Sequence, residues 1–148
     1  MKSTPIDGSL IEDFQGDWKK EWFTLRPNPW AYATHKLRVD EWKGPAGTEL
    51  VIDVQSDQVN KLVILLDKYA AEVELNGGES WQGLRLQPAD FKNVSDASLA
   101  NWEGIRLLKL SPAEHLRPER GSTSKRRLVG GGWNGPEPKF RNLRWATK

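Results

Sequence analysis

Three places in the chain hold aromatic rings whose setting suits chemistry as well as core filling. Trp30 and Tyr32 stand two residues apart behind Pro27-Asn28-Pro29, whose prolines stiffen a loop. Trp81 lies at the head of a strand-like stretch, and Trp133 sits between Gly132 and Asn134, where flexible neighbours let the ring adapt. The chemistry such rings offer is stacking on a sugar. The axial C–H groups of a pyranose form an apolar face that matches an indole, and a rigid ring loses little entropy on binding. The hydroxyls then need polar partners, because desolvated and unpaired groups cost more than the stack returns. Arg38 and Arg85 are placed to supply them, so the expected binding set is Trp30, Tyr32, Arg38, Trp81, Arg85 and Trp133. A planar guanidinium suits carboxylate or sulfate, which tilts the expected ligand toward an acidic polysaccharide, uronic or sulfated. The same residues have a plain structural use. Loop tryptophans can plug the end of a sandwich, and Asp40, Asp53, Glu72 and Glu74 can neutralise arginines in a lattice of cross-strand pairs.

The chain has eight tryptophans and no cysteine. Strand alternation sorts the rings into faces. Leu84 and Leu86 point inward, which puts Trp81, Arg85 and Gln87 on the opposite face. Leu37 and Val39 point inward and leave Arg38 outward, with Trp42 at the strand end open to either role. Leu143 and Trp145 share the inner face of the last strand, and Trp102 precedes an apolar run and belongs to the core. Phe23 and Leu25 claim the inner face of their strand, which would turn Trp22 outward, and Trp18 and Trp22 near the first loop stay undecided.

The elements that must position these residues are strands. Short runs rich in Leu, Val, Ile and Trp alternate with Gly, Pro, Asn and Asp, the pattern of an all-β chain. They run Leu10 to Phe14, Trp22 to Arg26, His35 to Trp42, Glu49 to Gln55, Lys61 to Asp67, Ala70 to Leu75, Ser80 to Gln87, Ile105 to Leu110 and Phe140 to Trp145. Two hairpins are expected, around Ser56 to Asn60 and around Asn76-Gly77-Gly78, and Pro88 to Phe91 suits one helical turn. From Ser111 to Pro138 the chain is polar, basic and glycine-rich. This 111–138 loop either stays solvated or folds onto the ligand face, with a short strand around Arg127 to Val129. The whole, residues 1–148, reads as one domain, a β-sandwich.

Composition narrows the functions. The 37% apolar and 28% charged make-up is that of an ordinary globular chain, and no run approaches the ~18 apolar residues of a membrane span. A net charge of +2 does not by itself argue for nucleic acid. Catalysis finds little support. His35 and His115 lack metal-ligand spacing, Gly130-Gly131-Gly132 runs into Trp-Asn-Gly-Pro and cannot open a phosphate-cradling helix, and no carboxylate pair stands out for glycoside hydrolysis.

The opening Leu10-Ile11-Glu12-Asp13-Phe14-Gln15-Gly16-Asp17 resembles the first strand of the galactose-binding-like jelly rolls. So do Glu49 to Asp67, and the passage of Trp81, Leu84, Leu86, Asp90-Phe91, Trp102 and Ile105 to Leu110. That superfamily includes many non-catalytic carbohydrate-binding modules and the domain of complex I intermediate-associated proteins. The resemblance implies a jelly roll of two antiparallel sheets, and it does not cover Ser111 to Pro138, where this chain departs with a longer insertion before the last strand. It also implies a monomeric polysaccharide-binding module of a larger secreted protein, extracellular or periplasmic, although Met1 to Pro5 carries no signal-peptide core. No cofactor is required. Related modules often hold a structural calcium near their first and last strands, where this chain offers Glu12, Asp13 and Asp17, but no pattern assigns ligands. Two rival readings stand beside it. One is a structural or protein-interaction domain, and the other is nucleic-acid binding through Lys125-Arg126-Arg127.

Overall fold

Two strands set the sandwich. In β4 (Thr48–Gln55) Leu50, Ile52 and Val54 share a face, and in β5 (Asn60–Leu66) Leu62, Ile64 and Leu66 do; all six are buried in one core cluster. Burying each such side chain stabilises by roughly 1.5–3 kcal/mol, so the alternation fixes which face turns inward. The computed structural model describes residues 10–25, 30–35, 42, 47–118, 121 and 125–147. Among them the first sheet has the order β1 (Leu10–Glu12), β11 (Lys139–Thr147), β4, β7 (Gln82–Leu86). The second has the order β2 (Phe23–Thr24), β3 (Tyr32–Thr34), β8 (Leu108–Ser111), β5, β6 (Tyr69–Leu75). Every named pairing is antiparallel, and the chain is an all-β sandwich. A short helix α1 (Trp18–Glu21) and a 3₁₀ turn at Pro88–Asp90, as the sequence suggested, complete the frame.

Neither expected hairpin forms. β4 has both edges taken, by β11 and by β7, so β5 cannot lie beside it and belongs to the opposite sheet. β6 likewise pairs with β5, while β7 pairs with β4. The true hairpin is β5–β6, turned at Asp67, which holds a positive φ of 54°. The two segments read as hairpin turns are instead sheet-to-sheet crossings packed against each other. Gly78 N–H donates to the Asp57 carbonyl (3.1 Å), and a Cβ on Gly77 would lie 2.7 Å from the Gln58 carbonyl carbon. Gly77 is therefore required for close backbone approach as well as for its φ of 82°.

β11 contains a bulge. Its register against β4 shifts between Arg141 and Arg144, with Asn142 at φ 53°, so Phe140, Leu143 and Trp145 all reach the core despite uneven spacing. At β2 the expected faces are reversed. Trp22 is 4% exposed, packed on Phe14 and Trp18, while Phe23 (53%) and Leu25 (49%) face solvent. The end of α1 turns Trp22 inward before the two-residue edge strand begins. The expected strand from His35 to Trp42 falls mostly outside the described residues.

The segment before the last strand is not a simple loop. It forms a hairpin of β9 (Ala113–Leu116) and β10 (Arg127–Gly130), confirming the short strand expected at Arg127. The hairpin lies over the outer face of the second sheet. There Leu116 joins Val63, Leu65 and Ala70 in a separate small core, with Val129 packed against it.

Candidate functional site

Five of the eight tryptophans, Trp22, Trp30, Trp42, Trp102 and Trp145, are buried. They belong to two aromatic groups near opposite ends of β11. Around Trp145 gather Trp42, Trp102 and, through Trp102, Phe91; the Trp102 indole N–H donates to the Thr48 carbonyl (3.1 Å). Around Phe140 gather Phe14 and Trp30, which link to Trp18, Trp22, Tyr32 and Trp133.

The six residues expected to bind sugar do not form one site. Trp30 is 2% and Tyr32 4% exposed, so neither ring is the solvent-facing platform expected of it. Both plug the end of the sandwich, because β3 is an internal strand between β2 and β8. Arg38 lies outside the described residues. Trp81 and Arg85 lie on the first sheet's outer face, where the lattice of cross-strand pairs prevails. The Arg141 guanidinium sits 4.2 Å over the Trp81 ring, Asp53 holds Arg141 (3.3 Å) and Arg144 (3.4 Å), and Glu49 holds Arg85 (2.8 Å). Glu72 and Glu74, expected beside them, lie in β6 of the other sheet.

Trp133 is differently placed. It is half-buried, edge-on to Trp30 (5.1 Å, 78°), and its indole N–H donates to the Pro136 carbonyl (3.1 Å). With its one polar group thus occupied, the ring offers its surroundings carbon surface. It walls a cleft of about 570 Å³, within the ~300–1,000 Å³ range of small-ligand sites. Lys109 and Ser111, pointing outward from β8 as alternation with the buried Leu108 and Leu110 requires, line it, and His115, Arg117 and Arg126 come from the hairpin. Within the lining, Glu114 accepts from Lys109 (2.6 Å) and from the Ser111 hydroxyl (2.9 Å), so the Lys109 and Glu114 charges cancel.

The loop that carries Trp133 is held at three points. Gly131 N–H donates to the Pro112 carbonyl (2.9 Å). The buried Asn60 side chain grips Asn134 twice, its Oδ1 accepting from the backbone N–H (2.8 Å) and its Nδ2 donating to the carbonyl (2.9 Å). Glu137 accepts from the Tyr32 hydroxyl (2.6 Å) and from Lys19 (3.2 Å). Burial first, then the bond to Glu137, holds the Tyr32 phenol above its ordinary value of 10.0. Lys19 is likewise raised, by the Tyr32 hydroxyl first and by Glu137 after a smaller opposing effect of burial. In its described residues the basic segment packs on the outer face of the second sheet through Leu116 and Val129.

Glu12, Asp13 and Asp17, the oxygen donors considered for calcium, engage the Phe14 N–H (3.0 Å), the Gln15 N–H (2.9 Å) and Lys20 (3.3 Å) in turn. Among the described residues no group of three His, Cys, Asp or Glu side chains converges on a point. Sequence reading missed Lys109, Ser111 and Glu114; the alternation of 108–111 carried the signal for the first two, whereas Glu114 becomes visible only once β9 folds back. No protein family, curated protein or solved structure matches the chain.

Proposed function

We propose that this domain is a non-catalytic carbohydrate-binding module that takes an oligosaccharide segment in the cleft beside Trp133. The observation that carries the reading is a half-buried indole on a pinned loop, presenting carbon surface to a cleft whose lining also includes the hydrogen-bonding side chains of Lys109, Ser111, Glu114 and His115. A ring fixed before binding loses little freedom on contact, and Ser111, Glu114 and His115 supply donors and acceptors for hydroxyls. The likeness to galactose-binding-like jelly rolls supports the same reading, as a module of a larger secreted polypeptide with no cofactor of its own.

Affinity electrophoresis against a panel of neutral, uronic and sulfated polysaccharides tests it. Retardation is expected on at least one, and it should vanish in Trp133→Ala while the near-UV circular dichroism of the buried tryptophans persists. Migration unchanged across the whole panel overturns the proposal. The rival protein-interaction reading draws on the edge strand β2, where Phe23 and Leu25 are exposed.

A further inference from the structure

Resting on that reading, we infer that the cleft selects a sugar bearing an anionic group, a carboxylate or a sulfate ester, held by Arg117 and Arg126. Arg127 pairs with Leu116 in the hairpin register, so Arg126 and Arg117 are the next residues outward on the two chains. Both line the cleft, which brings two guanidinium groups to one wall. Like charges at facing positions repel, and an anion between them relieves that repulsion.

Of the described arginines outside the cleft lining, Arg85, Arg127, Arg141 and Arg144 each have a carboxylate within 3.4 Å, and the exposed Arg106 stands by itself away from any second arginine of the lining. Among the described residues Arg117 and Arg126 have none, and the lining's Glu114 is already engaged by Lys109. The described lining therefore keeps two positive charges from these arginines, equal to the formal net charge of +2 carried by the whole chain. A planar fork binds carboxylate or sulfate oxygens in pairs, and Trp133 in the same lining takes the ring that bears them. A nucleic acid needs a longer track of cations, and here the neighbouring hairpin surface is mixed in charge, with the Arg127–Asp96 pair, Glu72 and Asp90 beside Lys92.

Calorimetric titration of the intact domain with four probes tests the inference: a heparin oligosaccharide, an oligogalacturonate, a neutral gluco-oligosaccharide and a short oligodeoxythymidylate. One or both acidic sugars should bind, more weakly as salt is raised, and Arg117→Gln and Arg126→Gln should each raise Kd about tenfold. Arg106→Gln, exposed and outside the cleft lining, should leave Kd unchanged. The heparin and galacturonate arms separate sulfate from carboxylate, and either supports the inference. Tighter binding of the neutral sugar, still lost in Trp133→Ala, overturns the anionic preference and leaves the sugar-binding reading standing. Binding of the oligodeoxythymidylate in preference to every sugar overturns both; binding of no probe overturns the anionic inference, and the polysaccharide panel then decides the sugar-binding reading.

Discussion

Replacing Asn60 should unfasten the loop that carries Trp133. Asn60 is buried, and its carboxamide satisfies both backbone groups of Asn134 at 2.8 and 2.9 Å, while Nδ2 also approaches the Ser56 hydroxyl at 3.1 Å. Asn60→Ala removes the two bonds to Asn134 at once. Each is worth about 0.5–1.5 kcal/mol net, and each backbone group left without a partner adds about 1–3 kcal/mol unless water reaches it. With partial rehydration the expected loss is about 2–4 kcal/mol in urea unfolding, with the denaturant slope unchanged. Amide exchange at Asn134 should quicken in parallel. Asn60→Asp adds a second reading of the same geometry. Its carboxylate keeps an acceptor for the Asn134 N–H but has no donor for the Asn134 carbonyl, and it faces the Gln58 carbonyl as well. Protonation restores a donor, so the Asp variant's deficit against wild type should narrow as pH falls through its carboxyl range. A loss below about 0.5 kcal/mol in Asn60→Ala, with Asn134 exchange unaltered, refutes the clamp.

Two further outcomes follow from the same region. Gly130, at φ 78°, has the Pro112 carbonyl oxygen 2.5 Å and Val63 Cγ2 2.6 Å from where a Cβ would stand. Gly130→Ala should thus cost about 2–4 kcal/mol, read as a fall in thermal midpoint; an unchanged midpoint refutes the close approach. Tyr32 and Lys19 both have raised values in the fold, so both stabilise it fully below their ordinary values of 10.0 and 10.5. That stability is lost as pH rises through the higher folded values, and Tyr32→Phe should flatten the alkaline limb of a stability–pH curve. An equally steep limb in the variant refutes this assignment.

The inner faces were legible in the sequence, because period-two alternation reports which side of a strand is buried. Leu84 with Leu86 and Leu143 with Trp145 lie inside as expected. Alternation says nothing about which strand is the lateral neighbour. Strands that follow one another across a short polar turn look like a hairpin whether they pair or face each other, and β4–β5 and β6–β7 do the latter. Gly77-Gly78 carries the composition of a tight turn, yet its glycines serve the contact with residues 57 and 58. Alternation puts Phe23 and Leu25 inward, against the structure, and leaves Trp22 undecided, for a local reason: α1 resets the phase before β2. At the candidate site, the aromatic Trp133 and the basic residues were visible one by one. Their assembly was not, since it depends on contacts between distant residues such as Asn60 with Asn134 and Tyr32 with Glu137.

The pairing of β1 with β11 has a mechanical consequence. Leu10 lies opposite Arg144, about 4.8 Å away across the ladder, and β11 runs on from there to Thr147, so the outer ends of β1 and β11 lie at the same end of an antiparallel pair. Tension applied through flanking polypeptide would load those hydrogen bonds one after another, as in opening a zipper, and not all together in shear. The short β1, paired among the described strands only with β11, would peel away first, while β11 stays held by its long contact with β4 that carries Phe140, Leu143 and Trp145. The Trp133 loop joins β11 at its other end, so a tethered domain could yield a few residues under load while its cleft kept its shape.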